Sequence, residues 1–145
     1  MSASVTEQIL ARVKAVLNGT TSAGRNVWRG RVDALGDDEL PGINVHRASG
    51  SSDVLGNNAE RSLIGFDIEH QVSAVAEWET AVDALHMEVH ARLMADAQLA
   101  ALGRGLRCTG TDPQSDSADR VAGKLTARYQ MQAFVRPGDL TRSIT

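Results

Sequence analysis

Two histidines stand four residues apart, His86 and His90, in a stretch that also carries Glu79 and Asp83. On a helix that spacing places both imidazoles on one flank, where they could share a metal ion. The local string is His86-Met87-Glu88-Val89-His90, so Glu88 falls on the other side of the helix and the zinc-protease arrangement is absent. No third ligand is evident, and the plainer reading is a solvated helix edge. His70 falls on the apolar face of a strand, which suits a hydrogen-bonded histidine near the sheet's end better than a catalytic base. His46 ends a strand without a recognisable partner. Cys108 is the single cysteine, so no disulfide can form within the chain and a cysteine-based zinc site is disfavoured. Burial is the default for such a thiol. No Ser-His-Asp or Cys-His set can be assembled, and Gly103-Arg104-Gly105 reads as a turn rather than a phosphate cradle. Arg25, Arg29 and Arg31 flank Trp28, a combination that can hold single-stranded nucleic acid. The alternation instead turns Trp28 inward, giving a core tryptophan with surface arginines. These residues predict no catalytic site, no cofactor and no metal.

The elements that would position such groups follow from composition and period. The 145 residues suit one domain, 42% of them hydrophobic and 23% charged. Only 3% are aromatic, so the core must be built from Val, Leu, Ile, Ala and Met. A formal net charge of -3 and a pI near 5.8 weigh against a dedicated nucleic-acid binder, though DNA could pass such a protein without being gripped. The N-terminal residues lack the basic and apolar regions of a signal peptide, and no stretch is apolar enough to predict a membrane span. A reducing cytoplasm is the expected place of folding.

Ser4-Val5-Thr6-Glu7 reads as a capping box that opens a first helix, with Ile9, Leu10, Val13, Val16 and Leu17 at helical spacing and Asn18-Gly19 at its end. Arg25 to Ala34 alternates as a strand, with Trp28, Val32 and Ala34 on its inner face and Val27, Arg29, Arg31 and Asp33 outside. Gly36-Asp37-Asp38-Glu39 is a turn, and Leu40-Pro41 leads into a second strand near Ile43 and Val45. Ala48 to Glu60, rich in Ser, Gly and Asn, reads as a long loop. A long strand follows from Arg61 to Ser73, with Ile64, Phe66, Ile68, His70 and Val72 on one face. The second helix runs from Val75 to Ala95 on the stripe Trp78, Val82, Leu85, Val89 and Leu93. A short strand around Leu106 and Cys108 and a second loop, Thr109 to Asp119, lead into a last alternating strand, Lys124 to Val135. Residues 1–4 and 138–145 are expected to be loose ends of the single domain.

Strands with one apolar and one polar face predict an α+β fold: a two-layer sandwich of a mostly antiparallel five-stranded sheet with two helices packed on one face. The bare face would carry Arg29, Arg31, Asp67, Glu69, Lys124 and Arg128, either solvated or paired with a neighbouring subunit.

In this order and spacing the chain resembles the tail terminator, or tail completion, proteins of long-tailed bacteriophages, a family that includes minor tail protein U. The resemblance spans nearly the whole chain. It is carried by the opening helix Thr6 to Leu17, the Arg/Val strand Arg25 to Ala34, the acidic turn into Leu40-Pro41-Gly42-Ile43-Asn44-Val45, the strand Arg61 to Ser73, the helix Trp78 to Asp96, and the strand Leu125 to Val135 closing on Arg136-Pro137-Gly138-Asp139. It implies a structural virion protein rather than an enzyme, assembled in the host cytoplasm and placed at the head-proximal end of the tail. Such proteins form a ring, commonly six-fold, on the last ring of tail-tube subunits. The ring ends growth at the length set by the tape measure protein, offers the surface that joins the head through a completion or neck protein, and passes DNA through its lumen. Closure needs head-to-tail contacts. The residues expected to supply them are Arg29, Arg31, Asp53, Asn57, Asp67, Glu69, Asp112, Asp116 and Arg128. The loops Ala48 to Glu60 and Thr109 to Asp119 are the docking candidates, and Asp112, Asp116 and Asp119 could face the lumen. A head-closure or neck adaptor is the nearest alternative, and a small cytosolic enzyme or ligand-binding domain using His70, His86 or His90 the more distant one.

Overall fold

Ser4 begins the first helix as its sequence predicts, accepting the Glu7 N–H on its hydroxyl at 3.1 Å. Helix α1 spans Val5–Leu17 and buries Val5, Ile9, Leu10, Val13 and Leu17. Glu7 does not reach back to close the capping box; its carboxylate is taken by Arg29. Residues 3–73, 77–116 and 122–144 are described by the computed structural model. They form an α+β two-layer fold in which helices cover one face of a six-stranded, mostly antiparallel sheet.

The strands are β1 (Val27–Arg29), β2 (Gly42–Arg47), β3 (Ser51–Leu55), β4 (Ala59–Ser73), β5 (Arg104–Asp116) and β6 (Ala122–Val135). Their order is β1-β2-β4-β6-β5, with β3 on β4 beyond the end of β2. Only β1 and β2 run parallel. Helix α2 (Trp78–Ala95) lies over β4 and β6 through Val82, Leu85, Val89 and Leu93. Helix α1 lies over β1 and β2, and a short α3 (Ala97–Ala101), which the sequence did not announce, abuts β5. Asp96 joins the helices: it caps α3 through the Leu99 N–H at 2.8 Å and holds Arg12 of α1 with both oxygens.

Four expectations are corrected. The strand after Arg25 is three residues long and faces the opposite way. Val27 is buried opposite Ile43, Trp28 is only half-buried on the other face, and Val32 is 94% exposed. Gly30, at φ +61°, breaks the period that was carried through it. The presumed loop Ala48 to Glu60 is a hairpin, β3 against β4, whose turn uses Asn57 (φ 62°) and Asn58 (φ 56°). Asparagine tolerates that left-handed region. Most of the second presumed loop is β5, drawn out by fourteen residues of β6 and accommodated by register shifts before Arg107 and Gly110. Pro113 is tolerated there because β5 is an edge strand. The C-terminal segment is also tied down: the Leu140 carbonyl accepts the Val5 N–H at 2.7 Å, and the Phe134 carbonyl accepts that of Ile144 at 2.8 Å. Val75 and Asp119 lie outside the described residues.

Candidate assembly surface

Asn44 is 2% exposed, and its side chain points to the face that the helices leave open. It grips the backbone of Arg31 from both sides, accepting the Arg31 N–H at 3.2 Å and donating to the Arg31 carbonyl at 2.7 Å. The clamp folds the 31–35 segment over the sheet. Arg31 then makes a two-pronged pair with Glu39, at 2.6 and 2.8 Å, and its guanidinium stacks 4.7 Å from the Trp28 ring centre. Gly42 leaves the room: a Cβ there would come 2.7 Å from Leu35 and 3.2 Å from Trp28. The arginines and Trp28 therefore do not divide into a surface and a core.

Beyond this clamp lies an open groove of about 580 Å³, walled by residues 31–35 and by Gln114 and Ser115 of β5. Glu69 is the hub of its floor. One carboxylate oxygen meets His46 Nε2 at 2.9 Å and the other meets Lys124 Nζ at 3.4 Å. His46 thus has the partner that the sequence failed to supply. Finding it requires the register of β2 on β4, in which Glu69 faces Asn44.

The expected interface residues separate into several environments. Arg29 does not lie on the open face; it reaches Glu7 of α1 at 2.5 and 3.0 Å, and that contact holds the Glu7 carboxyl below the usual range. Arg31 is on the open face but engaged as above. Asp67 and Arg128 face each other across β4 and β6, Arg128 exposed. Asp112 sits on the outer strand β5, where its carboxylate accepts the Gln114 amide at 3.5 Å. The backbone of Asp116 pairs with Ala122 at the strand's end. Asp53 and Asn57 lie apart from these, on the β3–β4 hairpin, where Asp53 accepts Arg61 at 2.7 Å.

The hairpin carries the surface that sequence patterning missed. Ser51, Ser52, Asp53 and Val54 are exposed, so β3 buries neither of its faces well, and Val54 is 84% exposed. No described residue pairs with its outer edge. Exposed edges are templates for another chain unless charge, proline or a bulge blunts them. The opposite edge, β5, has Arg104, Arg107, two register shifts and Pro113. The β3 edge has one charge, and Arg61 neutralises it.

The three other chemistry-bearing histidines lie between α2 and the sheet rather than on this surface. His70 is fully buried and His86 and His90 are half-buried, which corrects the solvated helix edge. Cys108 is half-buried rather than enclosed. No protein-family model matches the chain, and no curated protein matches it.

Proposed function

We propose that this chain is a structural protein that closes into a ring on the end of a phage tail tube, stops the tube's growth and offers the surface to which the head joins. The observation that carries this reading is the asymmetry between two of the sheet's three edge strands, β3 and β5. The β5 edge is guarded, whereas no described residue pairs with the outer edge of β3, a strand that carries the exposed Val54. A head-to-tail ring needs one surface that receives and a different one that gives. The β3 edge suits the first part, and the polar groove around Glu69 is the candidate for the second. The element order also supports the reading: a capped helix, the Leu40-Pro41 entry, a fifteen-residue strand, a long helix and a long last strand. Of the three histidines of the enzymatic alternative, His70 is fully buried and His86 and His90 are half-buried.

Co-sedimentation tests the role. The purified protein is expected to pellet with isolated tail tubes and to block further addition of tube subunits. Pelleting with portal rings and not with tubes would assign it to the neck instead.

A further inference from the structure

Three imidazoles and a phenol interrupt the apolar contact between α2 and the sheet. His70 of β4 is 0% exposed, with Nδ1 2.9 Å from the Leu125 carbonyl. A carbonyl only accepts, so Nδ1 carries the proton and Nε2 is a bare lone pair. That Nε2 is buried without a partner. His86 of α2 stands edge-on to it, ring centres 5.0 Å apart, and its own Nδ1 is likewise buried and unpartnered. One turn on, His90 Nδ1 lies 3.0 Å from the Tyr129 hydroxyl, and the Tyr129 ring stacks on Phe66 at 5.4 Å.

The backbone carbonyls of Leu125 and Ile68 favour a charged His70 ring, but burial outweighs them. Ile68 and Val72 flank His70 on the buried face of β4, Ile43 lies opposite on β2, and Leu125 lies opposite on β6. Tyr129 of β6 is kept neutral at ordinary pH, because burial raises its hydroxyl further. On α2 the titratable neighbours are His90, which repels a charged His86, and the exposed Asp83, which favours one. Among the described residues no carboxylate bonds to His70.

We propose that the His70–His86 contact is an acid-operated catch between α2 and the sheet, closed while both rings are neutral and released when they take up protons. Burial pushes His70 from its usual 6.5 down to about 4, and burial with the neighbouring His90 lowers His86. The released helix therefore binds protons more tightly than the closed one. The catch contributes its full stability above the ordinary histidine range and loses it progressively as pH falls toward the depressed value of His70. The carboxylates of the α1 clamps behave separately. Arg29 holds Glu7 and Arg12 holds Asp96 below their usual range, so both clamps survive the pH window in which the catch opens.

Backbone hydrogen exchange of the full chain at about pH 7.5 and about pH 4.5, corrected for intrinsic exchange, reads the catch directly. Opening of α2 is expected to rise on the order of 50-fold between the two, while central β4 and β6 amides hold. The double variant His70→Gln with His86→Gln, in which glutamine can still donate to the Leu125 carbonyl, is expected to remove that rise. Unchanged α2 protection in the wild type, the same rise in the variant, or simultaneous loss in β4 and β6 would each overturn the catch. Should the variant fail to fold, NMR of the wild-type imidazole C–H signals decides. His70 is expected to protonate only together with α2 opening; titration at an ordinary histidine value with α2 still protected would refute it.

Discussion

Asn44 decides where the chain goes after β1. Its amide replaces, for the backbone of Arg31, the strand pairing that ends with the Gly30 N–H on the Val45 carbonyl at 2.8 Å. Asn44→Ala would remove the partner of a part-buried N–H and carbonyl, at a cost of about 1–2 kcal/mol. The urea midpoint is expected to fall by that amount with an unchanged denaturant slope. Gly123 makes a different point at the same scale. A Cβ there would overlap the indole of Trp78, so Gly123→Ala must displace the first residue of α2 or strain β6. A destabilisation of about 1–3 kcal/mol in thermal or urea unfolding is expected. Neither role is written in local sequence. Asn44 reads as an ordinary polar strand position and Gly123 as a loop residue until the strands are in register. The Glu69 hub was hidden for the same reason: it joins side chains from β2, β4 and β6.

Elements with a clear period were legible, and those without one were not. The stripes of α1 and α2 and the buried faces of β4 and β6 appear where helical and alternating spacing puts them, because one-sided burial imposes the period. Thus Leu85→Ala, in the middle of the α2 stripe, is expected to cost about 2–5 kcal/mol in urea unfolding. Strand β3 has no buried face to impose a period, and β5 follows β6 across two register shifts, so both resembled loops. The first strand failed differently. Its alternation runs for three residues with the two faces exchanged, and the expected strand was then extended past a glycine that turns the chain. The exposure of β3 also yields an element-scale test. Val54→Glu places a charge beside the unguarded edge and is expected to abolish self-assembly while leaving monomer stability within about 0.5 kcal/mol. Native mass and urea unfolding on the same sample check both halves.

As a whole, the molecule is a sheet covered on one face, with the β5 edge blunted and the β3 edge open among the described residues. This architecture stands on the geometry of the chain, whereas the ring is the reading that best uses it. An open strand edge is a liability for a protein that stays alone, and it finds use when a neighbour covers it. The direct measurement is sedimentation velocity over a wide concentration range, with and without isolated tail tubes. A discrete ring of fixed mass, or a monomer that becomes a ring only at the tube end, is the predicted result. A monomer at every concentration that ignores the tubes would contradict it.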